Sequence, residues 1–139
     1  MDEYLICDIG NTRAKLAVVD ENKLKEIYVS DTENILIPDQ LENRNFKNSI
    51  VSLTTGKEKA IKKKLEKKFP GLIYMSEKIS LPIYINHNSP TTLGQDRKAA
   101  CAGAAQIFPD KPVLVIDAGS AITFDLILPE KGMSGGNIS

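Results

Sequence analysis

Two short stretches of this chain repeat one pattern. Ile6-Cys7-Asp8-Ile9-Gly10-Asn11 and Val115-Ile116-Asp117-Ala118-Gly119-Ser120 each run an apolar segment into Asp-x-Gly and a small polar residue. A second apolar segment follows each. An apolar strand can hold the aspartate at the mouth of a cleft, and the glycine lets the backbone turn with its N–H groups toward a ligand. A carboxylate placed there suits a hydrated magnesium ion beside phosphates. Two such hairpins facing each other would clamp a nucleotide from two sides. The chain contains neither G-x-x-x-x-G-K-[ST] nor G-x-G-x-x-G, so the two standard phosphate loops are excluded. Asp-x-Gly at a strand end is common, and the echo alone does not separate duplication from coincidence. Read as a duplication, it predicts a first domain over residues 1–110 and an incomplete second copy over 111–139.

The rest of the pattern reads as a mixed α/β chain. Tyr4 to Asp8, Ala14 to Val19 and Leu24 to Val29 are strand-like, with turns at Gly10-Asn11 and Asp20-Glu21-Asn22, which predicts an antiparallel meander. Residues 31–48 are polar and mixed, a loop with room for one short helix. Ser49 to Leu53 is a further strand. Lys57 to Phe69 is a helix whose Ile61, Leu65 and Phe69 form one apolar stripe, stopped by Pro70-Gly71. Leu72 to Met75 and Ile83 to Ile85 are strand candidates. Gly94 to Phe108 is a second helix with a small-sided run from Ala99 to Ala105, ended by Pro109. Val113 to Asp117 is continuous and apolar, the pattern of a strand buried on both faces. Ala121 to Leu128 runs back from it.

Composition narrows the function classes. Lys+Arg and Asp+Glu are both 18 among 139 residues, so the net charge is zero, which argues against a globally basic nucleic-acid binder. Seven lysines against two glutamates between residues 57 and 68 give a local 7 − 2 = +5. The bland account of that run is a solvated face opposite the apolar stripe, since no aromatic residue interleaves it. No apolar run approaches the roughly 18 residues needed to span a bilayer. The acidic start gives no sign of a signal peptide. Cys7 and Cys101 sit among apolar neighbours and read as buried, reduced thiols of a cytoplasmic protein. His87 is the sole histidine, so histidine metal sites and His-dependent triads are nearly excluded. Its setting between two asparagines predicts a solvent-exposed bystander.

Four motifs in order then resemble a known family. Asp8-Ile-Gly-Asn-Thr-Arg-Ala-Lys15, Gly94-Gln-Asp-Arg97, Asp117-Ala-Gly-Ser-Ala-Ile-Thr123 and Gly135-Gly-Asn-Ile138 are similar to the motifs of the type III pantothenate kinases, also known as Bvg accessory factors. The resemblance spans nearly the whole chain. It implies the ribonuclease-H-like fold of the acetate and sugar kinase, heat-shock 70 and actin superfamily, with the second domain truncated. It implies ATP-dependent phosphorylation of pantothenate to 4′-phosphopantothenate, the first step to coenzyme A, in a cytoplasmic homodimer.

The resemblance also implies roles for residues. Asp8, Gly10, Asn11, Thr12 and Lys15 correspond to the first phosphate loop, with Asp8 toward Mg²⁺ through water. Gly119 and Ser120 correspond to the second ATP contact; Ser120 stands where the family usually has threonine and keeps the hydroxyl. Tyr84, Gly94, Gln95, Asp96 and Arg97 correspond to the substrate site, with Asp96 as general base. Asp117 corresponds to the residue associated with a monovalent cation, K⁺ or NH₄⁺. The residue types suit the chemistry. Phosphoryl transfer to a primary alcohol needs positioning and charge neutralisation, with one carboxylate in reach of the hydroxyl. A helix start would keep Asp96 ionised, and Arg97 could fork onto the pantothenate carboxylate. Taken alone, Asp96 and Arg97 also read as a helix-terminal acid and a surface arginine, and Lys15 as a solvent-facing strand residue.

Family members are nearly twice this length, so the 139-residue chain is expected to be inactive or very weak by itself. Two other functions remain open at this point. One is a non-catalytic regulatory or nucleic-acid-binding module. The other is a phosphotransferase of the same superfamily with a different acceptor.

Overall fold

The alternation of apolar residues in the first strands decides how this chain packs. The computed structural model describes residues 1–21, 23–76 and 78–139. They form two compact units, Met1–Met75 and Ser76–Ser139. In the first unit, β1 (Glu3–Ile9) and β2 (Arg13–Asp20) pair antiparallel, with Leu5 opposite Val18, Cys7 opposite Leu16 and Ile9 opposite Ala14. All six side chains point to one face and are buried. β3 (Lys23–Asp31) continues the meander beyond β2. Asn22, expected in the turn before it, lies outside the described residues. β4 (Asn48–Leu53) joins β1 in parallel, and β5 (Ile73–Tyr74) joins β4, giving the order β3-β2-β1-β4-β5.

A helix seals the inward face of that sheet. Between β3 and β4 run a 3₁₀ turn (Thr32–Asn34) and the short α1 (Asp39–Glu42). α2 (Glu58–Lys68) presents Ile61 and Leu65, and Phe69 beyond its end completes the expected stripe. Phe46 meets Phe69 edge-on, with centroids 6.2 Å apart. Cys7 lies inside this core and burial pushes its thiol up to about 12, which leaves it inert as a nucleophile.

The second unit is a helix on one face of a sheet. α3 (Gln95–Ile107) packs on β6 (Val113–Ala118) and β7 (Ile122–Leu128), and β8 (Gly132–Ile138) completes an antiparallel sheet ordered β6-β7-β8. α3 belongs to this second unit because its small-sided run lets it lie against β6 and β7. β6 is not covered on both faces among the described residues. Leu114 and Ile116 are each 57% exposed, while Val113 and Val115 turn toward the α3 side. Ile83 to Ile85 is not a strand but a loop with one bridge, Ile85 to Met133. His87 is half-buried rather than exposed, and its Nδ1 accepts the Ser89 N–H at 3.1 Å. No helix among the described residues is long and apolar enough to cross a membrane.

Two stability predictions follow from the first unit. Leu65→Ala removes a fully buried side chain between α2 and the sheet, and urea unfolding should show a loss of about 2–5 kcal/mol. Arg44 donates to Glu3 from Nε and Nη2 (2.7 and 2.6 Å) and to Glu26 from Nη1 (2.6 Å). Hydrogen bonding from Arg44 lowers the Glu3 carboxyl below its ordinary 4.5, and Tyr28 and then Arg44 lower Glu26. Carboxyls held low stabilise the fold above pH 4.5 and lose that contribution as pH falls through their lowered values. Urea midpoints followed from pH 7 downward should drop across that window, and Arg44→Met should flatten the drop.

Candidate functional site

The residues expected to bind phosphate lie where β1 gives way to β2. Gly10 donates its N–H to the Arg13 carbonyl at 2.9 Å, closing a tight turn around Asn11 and Thr12. The Thr32 hydroxyl donates to the Gly10 carbonyl at 2.8 Å and braces the turn from outside. Asp8 and Lys15 are cross-strand partners, with Lys15 Nζ 3.7 Å from Asp8 Oδ2 and both side chains about half exposed. Lys15 thus shares a face with Asp8 and is half exposed to solvent there. Because β1 and β4 are parallel, both end at this same edge. The Thr54 N–H donates to the Ile9 carbonyl at 2.9 Å, which sets Thr54 and Thr55 beside the Gly10 turn. The carboxyl ends of parallel strands are where α/β sheets hold ligands. The strand-like reading of 49–53 did not extend to these threonines, because their place depends on the β1–β4 register.

The acceptor motif opens α3. Gly94 precedes the helix, and Gln95, Asp96 and Arg97 form its first turn. A side chain at 94 would collide with Asp96 Oδ1, so glycine is what allows the Asp96 carboxylate to fold back over the helix start. Gln95 Oε1 is buried with no hydrogen-bond partner among the described residues. An orphaned acceptor of that kind is rare and calls for a donor from elsewhere.

Arg97 is committed inside the protein. Its Nε lies 3.2 and 3.0 Å from the two oxygens of Asp125, and its Nη2 lies 2.5 Å from Oδ1. The two side chains are 11% and 2% exposed. These hydrogen bonds raise the Arg97 guanidinium above its usual value, so it stays charged. The Nε–Nη2 edge of the Arg97 fork is thereby given to Asp125. Asp125 was missed because its partner is 28 residues away. Its signal was the alternation in β7, which puts Thr123, Asp125 and Ile127 on the buried face. Cys101, one turn beyond Arg97, is buried, and desolvation pushes its thiol up to about 11.

The remaining expected residues are spread over the second unit. Asp117 is exposed at the end of β6, and Gly119 closes the following turn, its N–H donating to the Ala121 carbonyl at 3.0 Å beside Ser120. Tyr84 is 81% exposed. Its carbonyl accepts the Met133 N–H at 2.9 Å, which ties its loop to β8. Among the described residues no three His, Cys, Asp or Glu side chains gather to cage a metal. A half-exposed Asp8 beside a turn of backbone amides does fit Mg²⁺, which keeps waters and leans on substrate phosphates. Asp117 offers one carboxylate toward a monovalent cation. The lysines of α2 are largely engaged locally. Lys57 reaches Glu33, Lys62 reaches Glu58 and lies over the Tyr74 ring, Lys64 donates to the Ile35 carbonyl, and Lys68 reaches Glu42.

An aspartate-ended strand with a glycine turn, together with an acid in the first turn of a helix, has the parts of a phosphotransferase. A sequence profile of the type III pantothenate kinases matches residues 4–139, and the chain belongs to that family. Type III pantothenate kinases of Phocaeicola vulgatus and Bacteroides fragilis are 35% and 33% identical to it over 136 residues. That of Christiangramia forsetii is 34% identical over 142. Each alignment takes in 97% of this chain and 56% of the relative, so the chain spans about half the length of the curated relatives it matches. The α/β, ribonuclease-H-like class rests on that membership and on the mixed sheet of the first unit. A Ppx/GppA family protein of Aquifex aeolicus superimposes on 99% of this chain and 51% of its own, with a TM-score of 0.47 and 11% identity.

The packing around Arg97 gives a direct test. A Cβ at position 136 would lie 2.5 Å from Arg97 Nη2 and 2.7 Å from the Phe124 carbonyl. Gly136→Ala should therefore push the ion pair apart and lower the unfolding midpoint of the second unit. Gly135→Ala, with open space at that Cβ, should leave it within about 0.5 kcal/mol. Thermal or urea unfolding of the two variants checks the contrast.

Proposed function

We propose that this chain carries the phosphate-loop and acceptor motifs of an ATP-dependent pantothenate kinase acting in the cytoplasm. The observation that carries the reading is Asp96, set in the first turn of α3 with its carboxylate folded over Gly94 and in the field of Arg97. In this reading Asp96 accepts the proton of the pantothenate primary hydroxyl as its oxygen attacks the γ-phosphorus and ADP leaves. Gln95 orients the acceptor through its unpartnered Oε1. Tyr84 supplies a face for the pantothenate body, and Arg97 offers it only the Nη1 edge not given to Asp125.

Gly10, Asn11 and Thr12 form a phosphate-contacting turn of the first unit, and Gly119 and Ser120 form one in the second. Lys15 adds positive charge on the same face. Mg²⁺, held by Asp8 through water, would neutralise charge on the phosphates, and Asp117 would contribute to a K⁺ or NH₄⁺ site. Because the chain spans about half of its relatives, we infer that the complete site and a homodimer need sequence of the kind those relatives have beyond it. Turnover by the 139 residues alone is then weak or absent.

The test is pantothenate-dependent ADP release with Mg-ATP and potassium, run on this chain and on a form extended to its relatives' length. Asp96→Asn should lower kcat by at least about 100-fold with little change in KM. An active form whose Asp96→Asn variant keeps full kcat would remove Asp96 from the base role. A titration of the ¹⁵N-labelled chain with pantothenate reads the site without turnover, and the amides of residues 94–97 should shift.

A further inference from the structure

Lys98 has no role in the site described so far, yet it is 4% exposed. It follows Arg97 in the first turn of α3, and its side chain makes no hydrogen bond or ion pair with any described residue. Its stem is buried while its ammonium borders a cavity, and the N-terminal end of a helix makes those surroundings inhospitable to a cation. An anion at Lys98 would relieve that penalty.

The space for one is present. Lys98 lines a cavity of about 600 Å³ within the second unit, well inside the range of small-molecule sites. Ile79, Leu81, Ile83 and Ile85 give it apolar walls, and Ser80 and Thr91 add hydroxyls. Tyr84 also borders it, whereas Gly94, Gln95, Asp96 and Arg97 do not. Among the described residues the lining has one cation, which matches a single negative charge; a phosphate dianion would call for more donors than one ammonium. Apolar walls around one cation suit a carboxylate on a compact apolar body.

We propose that Lys98 and this cavity bind the carboxylate of a small organic monoacid. Lys98 donates to the carboxylate oxygens, the isoleucines and Leu81 cover the apolar body, and the two hydroxyls meet its polar groups. The inference deepens the pantothenate reading, on which it rests only for which carboxylate arrives. With the Nε–Nη2 edge of Arg97 held by Asp125, Lys98 is a cation left to recognise the acid end of the acceptor.

The experiment is calorimetric and NMR titration of the 139-residue chain with three probes: pantothenate, panthenol (the same body with an alcohol in place of the carboxylate) and pivalate. Pantothenate should bind roughly 10- to 100-fold more tightly than panthenol, the range of a charge-assisted hydrogen bond. Lys98→Met keeps the stem and loses the charge, and it should abolish that preference while panthenol binding is unchanged. The wild-type comparison of pantothenate with panthenol needs no variant, so poor folding of Lys98→Met would not spare the proposal. Pivalate bound in a Lys98-dependent way without pantothenate binding would uphold the carboxylate site and sink the pantothenate reading. Equal affinity for pantothenate and panthenol, a preference that survives Lys98→Met, or no binding of any carboxylate would overturn the proposal.

Discussion

A guanidinium and a carboxylate buried together hold the second unit in order. Arg97 rises from the first turn of α3 and Asp125 from the buried face of β7, and their hydrogen bonds lock the helix start to the sheet. Neither charge can be left alone at that depth, so the geometry is close to all-or-none. The pair sets where the acceptor motif begins, and so where Asp96 and Gln95 sit. It explains why β8 carries glycine at position 136, since any side chain there would wedge into the pair. It also removes the Nε–Nη2 edge of Arg97 from ligand binding, which gives weight to the neighbouring Lys98.

The first unit depends on a different constraint, the period-two burial of β1 and β2. Leu5, Cys7 and Ile9 face α2 while Ile6 and Asp8 face the other side. The parity that builds the core therefore also decides that Asp8 and Lys15 are accessible. The parallel pairing of β4 with β1 adds Thr54 and Thr55 at the same edge as the Gly10 turn. Structure and candidate chemistry share one register, and a one-residue slip would bury the charges and expose the core.

Local periodicity made most of this legible. The meander, β4, both longer helices and the stop at Pro70 follow from alternation, an i, i+4, i+8 stripe and turn residues within a few positions. What escaped depends on partners far along the chain. The apolar run of β6 says that its residues tolerate burial, but not that only the α3 side has something packed on it. Ile83 to Ile85 has strand composition, yet a single bridge to Met133 is all the pairing it finds. Asp125 is ordinary in sequence and becomes telling only once Arg97 is beside it. Lys98 is the plainest case, because a lysine in a helix reads as solvent-facing until Ile79, Leu81, Ile83 and Ile85 are found around it. The motif residues themselves were named by resemblance, and their spacing alone would have left Asp96 and Arg97 as a helix-end acid and a surface base.

The central claim is that Arg97 and Asp125 act as one unit on which the acceptor motif is built. A double-mutant cycle with Arg97→Met and Asp125→Leu, read by urea unfolding, tests it most directly. Each single variant leaves a buried charge unpaired and should cost about 3–5 kcal/mol. The double variant removes both charges and should be markedly less destabilised than the sum of the singles, with a coupling of roughly 1.5 kcal/mol or more. Single-variant losses that simply add would contradict the account, because they would mean that the two side chains stabilise the second unit independently of one another.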